Sequence, residues 1–326
     1  MRIALWGPLL IAAALAGAYI YMHDPFARDG TELLQVPLSE EDPSLDRVGD
    51  LKYLGGLDIP RMGQNIGGLS GLRWDSKSGR LLAITDDARW VWLTLSEEND
   101  ALTGIENIEV GDLVGLKGEV LTGKEAGDSE SLTRHSEGGW LIGFERDHRV
   151  WHYQTLAGPP EPTRIEPEGL LGPMEANRGL EAMATIEDTW TGCAESREGT
   201  QTGNCILSGG PDIDRSFVVG TTPAVREVGA VPTDADYGSD GALFLLLRNY
   251  SSDEGNVVGI QMVEFSPTDY SERELAVLET PLTVDNFEGL AVREEGERTF
   301  LYIVSDDNFS GSQRTLLMKF ELLAQD

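Results

Sequence analysis

Four carboxylates recur at one position of a repeated phrase, and they are the side chains of this sequence best suited to chemistry. The phrase is clearest at Glu288-Gly289-Leu290, where an acid precedes a small residue and a leucine. If the copies come together, like charges at close range need a compensating cation. We expect Ca²⁺, because it takes six to eight oxygen ligands. The aligned positions are Ser70, Glu130, Glu181, Asp236 and Glu288, separated by 60, 51, 55 and 52 residues.

Acidic loops follow two of the copies and would add oxygen ligands to such a site. Asp86 and Asp87 come directly after the apolar run RLLAIT. Asp306 and Asp307 come directly after the run TFLYIVS and are followed by Asn308. Asp and Asn also make turns in their own right, so a plain turn is the alternative for these loops. We predict that the four aspartates complete the ligand set of the metal.

Arginines lie beside the same acidic motifs in a chain that has few basic residues. Because arginine binds phosphate and carboxylate groups in a bidentate manner, Arg178 and Arg248 are predicted to stabilise developing negative charge. Glu181 and Glu288 are predicted to hold the metal or to act as a base. The alternative is that each arginine only pairs with neighbouring acids. The basic residues beside the motifs are Arg89, Arg146, Arg178, Arg248 and Arg314.

The elements that must position these side chains are short β-strands. From Phe287 to Leu322 the chain reads as three strands, separated by a polar turn and by a loop rich in Asp, Asn, Gly and Ser. The other copies of the phrase are also followed by strand-like apolar runs. A repeat of this length with several strands per copy is typical of a β-propeller. Five copies are recognisable, so an all-β propeller is predicted, with five or six blades.

The two ends of the propeller domain, placed at residues 47–326, are predicted to close the ring. The first strand of each blade lines the central channel in a propeller, so the recurring carboxylates would converge on one axis. The last copy lacks an outer strand, and Leu51 to Ile59 can supply it. Closure of this kind removes a free sheet edge.

The composition is strongly acidic. The 326 residues include 25 basic and 56 acidic side chains, which gives a net charge of −31. Such a field repels nucleic acid and anionic membranes and favours cations. A small anionic or ester substrate would therefore need a metal or a local arginine cluster, although acidity for solubility alone is the alternative. The sequence has no oligomerisation motif, so a monomer is the default expectation.

The first 22 residues form a separate segment. Ile3–Met22 carries no charged side chain and is long enough to span a bilayer. Ala14-Leu15-Ala16 and Ala16-Gly17-Ala18 resemble signal-peptide cleavage sites, so a cleaved signal and a retained membrane anchor both stay open. Either one predicts export, to the periplasm or to the periplasmic side of the inner membrane, with membrane contact through this segment alone. Residues 23–46 are predicted to be a tether.

Two cysteines lie 12 residues apart in a polar stretch, Cys193 to Cys205. In an oxidising compartment this pair is predicted to form a disulfide. The pair lacks the C-x-x-C spacing of a redox dithiol, and no histidine lies nearby to complete a metal site.

The motifs together resemble the phytase-like domain family, whose members are described as having esterase-like activity of phytase. The resemblance implies a β-propeller that is mostly exported from bacteria. It also implies a link to calcium-dependent propeller phytases, in which bridging Ca²⁺ ions hold substrate phosphates and activate water. The residues that carry it are Gly67–Leu72 with Ile84–Asp87, Arg178–Met183, Asn286–Ala291, Ile303–Ser310 and Gln313–Leu317.

Two functions from different classes follow from these observations. The first is a Ca²⁺-dependent hydrolase of phosphate or carboxylic esters, in which the metal polarises the scissile group and lowers the pKa of bound water. The second is a non-catalytic propeller of the cell envelope that binds a partner and holds structural Ca²⁺. The sequence contains no G-x-S-x-G, G-x-x-x-x-G-K-[ST] or H-E-x-x-H motif, so other common hydrolase and nucleotide-binding mechanisms lack their residues.

Overall fold

The structure is a computed structural model of the chain, and it describes residues 33–60, 66–176, 178–194, 203–209, 214–222, 229–253 and 255–324. Five antiparallel sheets make up this part of the chain. The inner strands of consecutive sheets contact one another in a closed ring. The fold is therefore the predicted β-propeller, and the number of blades is five.

The strands follow one another in chain order from blade to blade. Three strands precede the first blade: β1 (Leu34–Val36), β2 (Arg47–Val48) and β3 (Leu51–Asp58). Blade 1 contains β4 (Leu69–Asp75), β5 (Arg80–Thr85), β6 (Arg89–Glu98) and β7 (Ala101–Asp112). Blade 2 contains β8 (Ser129–Arg134), β9 (Trp140–Phe144), β10 (Arg149–Tyr153) and β11 (Glu161–Pro162).

The remaining blades have the same order from the axis outwards. Blade 3 contains β12 (Leu180–Ile186), β13 (Thr189–Ala194), β14 (Gly203–Ser208) and β15 (Asp214–Val219). Blade 4 contains β16 (Val231–Tyr237), β17 (Leu243–Ser251), β18 (Gly255–Phe265) and β19 (Tyr270–Leu278). Blade 5 contains β20 (Phe287–Glu295), β21 (Arg298–Ser305) and β22 (Leu316–Leu322). Two short helices, α1 (Lys124–Gly127) and α2 (Pro167–Leu171), lie between blades.

The ring closes as predicted, through pairing of the two ends of the domain. Strand β3 pairs antiparallel with β22, with Leu57 opposite Leu317, and β1 adds a further strand beyond β3. Residues 33–46, which the sequence analysis assigned to a tether, thus include β1, and Leu38 is fully buried in the core beside blade 5. The packed part of the chain therefore includes residues from Leu33 onwards.

The second strands of blades 1, 2 and 5 contain long apolar runs because neighbouring blades cover both of their faces. Leu81–Thr85 in β5, Trp140–Phe144 in β9 and Phe300–Ser305 in β21 are buried at every position. A strand covered on both faces reads as a continuous apolar run and not as an alternation. This burial explains the runs RLLAIT, WLIGF and TFLYIVS, and it gives the blades a rigid base for the loops that follow.

A disulfide joins Cys193 and Cys205, as the sequence predicted. The two residues lie opposite one another on β13 and β14. The bond is typical of proteins of an oxidising, exported compartment. Among the described residues, no helix is long and apolar enough to cross a bilayer, and the predicted N-terminal segment lies outside those residues.

Candidate functional site

A polar cavity of about 330 Å³ opens where the inner strands begin. All five blades contribute charged side chains to its wall, four of them carboxylates and blade 4 an arginine, and α1 adds a lysine. The lining residues are Asp86, Lys124, Glu130, Glu145, Arg178, Glu181, Val231, Pro232, Thr233, Arg248, Glu288, Asp306 and Asn308.

A β-bulge near the start of each inner strand sets the first ring of cavity residues. In β8 the pairing with β9 skips one residue between Ser129 and Ser131, which leaves Glu130 unpaired in the ladder. An extra residue of this kind bends the strand and redirects its side chain. The same irregularity leaves Glu181, Thr233 and Glu288 unpaired in β12, β16 and β20. In β4 the unpaired residue is Gly71, next to Ser70.

A second ring comes from the second strand of a blade, near its end or just after it, where it lies next to the start of the inner strand. Strand β5 ends at Thr85 and is followed by Asp86, β9 ends at Phe144 and is followed by Glu145, and β21 ends at Ser305 and is followed by Asp306. In blade 4 this position is Arg248, which follows Leu247, the partner of Pro232. The two rings stand next to each other and together form most of the cavity wall.

Three carboxylates of blade 2 form the tightest acidic group among the described residues. One oxygen from each of Asp128, Glu130 and Glu145 lies within 4.8 Å of the others. Ser70 donates its hydroxyl to Glu130 Oε2 at 3.0 Å, and the backbone N–H of Gly179 donates to Glu145 Oε1 at 2.6 Å. These contacts fix the carboxylates from blade 1 and from the segment before blade 3.

Burial and mutual repulsion raise the pKa values of the cavity acids. Burial is the main cause for Glu130, whose pKa lies well above its ordinary value, and the charges of Glu181 and Glu288 raise it further. Burial followed by the charge of Glu288 raises the pKa of Asp306 to about 8. Burial also raises the pKa of Glu288, although Arg248 opposes the shift. The cluster is therefore poorly compensated and would gain from a bound cation.

Basic side chains compensate part of this charge. Arg248 donates to Glu288 Oε1 at 3.1 Å, and Asn286 donates to the same oxygen at 2.7 Å. Arg146 donates through Nε to Asp128 Oδ2 at 2.7 Å. The predicted alternative, in which the arginines pair with neighbouring acids, thus describes their contacts. Arg89 pairs with Asp87, Arg178 lies 3.8 Å from Glu175, and Arg314 pairs with Asp285.

Five of the residues predicted as metal ligands line this cavity together. They are Asp86, Glu130, Glu181, Glu288 and Asp306.

Asp236 lies elsewhere, because the position aligned with Glu130 in blade 4 is Thr233. Asp236 is three residues further along β16, where its Oδ1 is 3.7 Å from Arg73 Nε and its Oδ2 accepts from the backbone of Val292 at 2.8 Å. Burial raises its pKa to about 6, while Arg73 opposes the shift.

Asp87 and Asp307, also predicted as ligands, contact the loops around them. Asp87 accepts from Arg89 at 2.8 Å and lies half-exposed. Asp307 is buried, and its Oδ1 accepts the backbone N–H groups of Gly68 at 3.2 Å and Phe309 at 3.0 Å. The contact of Asp307 with Phe309 is a local turn contact, whereas its contact with Gly68 joins two loops that are distant in sequence.

Glycine at position 68 is required by the close approach of Asp86. Gly68 has a φ of +65°, and a Cβ there would lie 2.1 Å from Asp86 Oδ1. The backbone N–H of Asp86 donates to the Gly68 carbonyl at 2.8 Å. Gly68 of the opening motif therefore lets Asp86 lie against the start of β4, and Gly67 leaves room for Asp307, whose Oδ1 would lie 2.6 Å from a Cβ there.

Four polar residues of the site were absent from the sequence prediction: Lys124, Glu145 and Thr233, which line the cavity, and Asp128, which belongs to the acidic group of blade 2. A signal for Glu145 is present, since it follows an apolar second strand just as Asp86 and Asp306 do. Lys124 and Asp128 lie on the connection between blades, outside the repeated strands, and Thr233 carries no charge.

The donor set fits a hard divalent cation. All the candidate ligand atoms are carboxylate oxygens, which suit Ca²⁺, Mg²⁺ or Mn²⁺ over softer metals. Oδ1 of Asp86 is buried, and no donor among the described residues reaches it. An acidic cavity with such an atom fits the binding of a cation.

The sequence of the chain is similar to that of a known protein family. A family model described as "Phytase-like: Esterase-like activity of phytase" matches residues 64–309, well over half of the chain. Among the curated proteins, no relative matches the chain.

Solved structures with a similar chain path include three enzymes. An α-L-arabinofuranosidase from Podospora anserina is 10% identical with a TM-score of 0.47, over 84% of this chain and 97% of that one. A Trichoderma reesei protein of Carbohydrate-Active Enzymes Family AA12 is 13% identical with a TM-score of 0.40, over 89% and 96%. A Bombyx mori GH32 β-fructofuranosidase is 11% identical with a TM-score of 0.43, over 94% and 66%. At these values none of them bears on the chemistry of this chain.

Proposed function

Because the chain belongs to the phytase-like family, we propose that it is a hydrolase that uses a divalent cation, most simply Ca²⁺, to cleave an anionic phosphate or carboxylic ester. The observation that carries the proposal is the convergence of carboxylates from four blades on one polar cavity. Such a concentration of buried negative charge costs stability unless a cation compensates it. Family membership supports the class of reaction but does not identify the substrate.

Asp128, Glu130 and Glu145 would hold the cation, because their oxygens form the closest acidic group of the site. When bound, a divalent cation polarises a phosphoryl or carbonyl oxygen and lowers the pKa of a bound water. Ser70 and the backbone of Gly179 orient two of these carboxylates. These hydrogen bonds would hold Glu130 and Glu145 in place, so that the two carboxylates rearrange little when the cation binds.

Arg248 and Arg178 would orient the anionic part of the substrate. Both line the cavity, and Arg248 is the basic residue among the described members of the second ring, in the blade whose first-ring residue is the neutral Thr233. Blade 4 is thus the blade whose described cavity residues include no carboxylate. An anionic group that enters the cavity would be repelled least at that side and attracted by the guanidinium of Arg248.

Asp306 and Glu288 are the candidates for proton transfer. Burial and the charge of Glu288 raise the pKa of Asp306 to about 8, which favours the protonated carboxyl, and Asp306 would donate that proton to a leaving oxygen. Glu288, oriented by Arg248 and Asn286, would accept a proton from the attacking water. Asp306 and Glu288 would thus take different roles, acid and base, because their surroundings differ.

The test is a screen of esters with protein freed of metal by a chelator. Nitrophenyl phosphate, bis-nitrophenyl phosphate and nitrophenyl acetate would be offered with Ca²⁺, Mg²⁺, Mn²⁺ or no added metal. We expect turnover that depends on one of these ions and falls at least about 100-fold in Glu130→Gln and Glu145→Gln. Glu161→Gln, at an exposed position of β11, is the matched control.

Two outcomes would contradict the proposal. Equal turnover by the parent and both cavity variants would remove these carboxylates from the reaction. A cation that raises the melting temperature while no ester is cleaved would favour the second function, a binding propeller with a structural metal ion.

We also propose that the protein works outside the cytoplasm, in the periplasm. The disulfide between Cys193 and Cys205 supports this location. Fractionation of cells that express the full chain, with alkylation of free thiols before lysis, tests it. Protein found in the cytoplasmic fraction with both thiols alkylated would contradict it.

A further inference from the structure

Lys124 brings a positive charge to the acidic cavity from outside the blades. Its ammonium group donates to Asp86 Oδ2 at 2.7 Å and to Asp128 Oδ1 at 2.6 Å. Asp86 follows β5 of blade 1, and Asp128 precedes β8 of blade 2. One ammonium group therefore bridges carboxylates from two blades, and carboxylate oxygens are also the ligands that a hard divalent cation takes.

We propose that Lys124 is a tethered cation that takes the place of a second divalent ion and limits the cavity to one bound metal. The inference rests on the proposed function, because it requires that Asp128, Glu130 and Glu145 hold a divalent cation.

The surroundings of Asp86 support this role. Within the described part of the chain, Lys124 is the basic side chain that lies within ion-pair distance of Asp86. The other carboxylate oxygen, Oδ1, is buried without a hydrogen-bond donor from the described residues. Without the ammonium group, Asp86 would lose its basic partner, and Arg146 would be the remaining cation at Asp128 among the described residues. A mobile divalent ion would then be attracted to the gap.

The loop around Lys124 is held in place by blade 2. The guanidinium of Arg149 lies 4.1 Å from the ring centre of Phe144 and 4.3 Å from that of Trp151. From there it donates to the carbonyl of Ala126, in the same short helix as Lys124. The lysine is thus presented to the two aspartates by an anchored turn.

The experiment counts the ions bound by the full chain. Chelator-treated protein is titrated with CaCl₂ in a calorimeter, and bound calcium is measured by elemental analysis after gel filtration. We expect about one calcium per chain for the parent and for Lys124→Arg, and about two for Lys124→Gln and Lys124→Met. Lys117→Gln, which removes an exposed lysine of the same connection, should bind one. Adding Asp86→Asn to Lys124→Gln should return the number to one.

The results separate this inference from the proposed function. A parent that binds one calcium while both neutral variants, folded by circular dichroism, also bind one would overturn the role of Lys124 and leave the hydrolase proposal standing. A parent that binds two or more would overturn it as well. A parent that binds none would remove the metal, and both proposals would fall together.

Discussion

Arg73 and Asp234 form a bidentate ion pair on the propeller axis, with both guanidinium-to-carboxylate contacts at 3.0 Å. Arg73 belongs to blade 1 and Asp234 to blade 4, and the side chains are 2% and 0% exposed. The same guanidinium donates to the carbonyls of Met183 in blade 3 and Leu290 in blade 5. Asp234 Oδ2 also accepts the backbone N–H of Leu290 at 2.7 Å. One ion pair thus links four inner strands next to the cavity.

Removing one member of this pair should destabilise the protein strongly. Arg73→Met leaves Asp234 buried without its partner and several backbone carbonyls without a donor, so we expect a loss of about 3–5 kcal/mol of unfolding free energy. Urea unfolding followed by circular dichroism measures it. Arg80→Met is the control, because Arg80 and Glu109 are 26% and 50% exposed and such a pair contributes about 0–1 kcal/mol. Equal losses in the two variants would show that Arg73 does not link the inner strands.

The blade repeat was predictable from the sequence because it depends on local patterns. Each second strand is covered on both faces and therefore reads as an apolar run, and each run is followed by turn residues. The outer strand Leu51–Asp58 was predictable because the last copy ended one strand short. These signals need no knowledge of which residues pair across a sheet.

The position of the bulge in the fourth copy of the repeat could not be predicted, because a bulge depends on which residues of two strands pair with each other. The register of β16 against β17 shows that Thr233 corresponds to Glu130 and Glu288. The sequence offers two acids nearby, Asp234 and Asp236, and Thr233 has no charge that would mark the position. Both acids turn towards Arg73, a contact made across the axis that no local pattern reveals.

The stability of the metal-free protein should fall as the pH rises from about 4 to 8. The ordinary pKa of an aspartate is about 3.9, whereas burial and the charge of Glu288 raise that of Asp306 to about 8 in the folded state. Between these values the folded state binds more protons than the unfolded state, so the unfolding free energy decreases with pH. Burial raises the pKa values of Glu130 and Glu288 in the same direction.

Melting temperatures measured with chelator from pH 5 to pH 8 check this trend. Asp306→Asn should flatten the curve, since the amide does not titrate, and Asp253→Asn, on an exposed turn of blade 4, should leave it unchanged. Added CaCl₂ at pH 8 should recover the melting temperature of the parent. A parent that becomes more stable with rising pH in chelator would contradict the raised pKa values.

Glu97 should be important for the contact between blades 1 and 5. It accepts from Lys319 at 2.8 Å, from the Tyr302 hydroxyl at 2.8 Å and from Arg293 at 2.9 Å. Lys319 is 1% exposed, and burial lowers its pKa, so its charge depends on Glu97. We expect Glu97→Ala to cost about 3–5 kcal/mol of unfolding free energy, because it leaves a buried cation unpaired.

Urea unfolding of Glu97→Ala and of Glu98→Ala, its exposed neighbour, provides the comparison. The Glu98 variant should change the unfolding free energy by less than about 0.5 kcal/mol. Adding Lys319→Met to Glu97→Ala should recover part of the loss, since the uncompensated charge is then removed. Independent, additive losses in the double variant would show that the two residues are not coupled.

The disulfide of blade 3 should stabilise the folded chain through the loop it closes. Cys193 and Cys205 are 12 residues apart, and cross-linking a loop of this size removes about 3 kcal/mol of conformational entropy from the unfolded state. Both cysteines are buried with Ala184, Phe217 and Leu245 in the core between blades 3 and 4. The double variant Cys193→Ala/Cys205→Ala should therefore unfold at a lower urea concentration, and reductant should bring the parent towards the same midpoint. A midpoint equal to that of the oxidised parent would show that the bond does not contribute to stability.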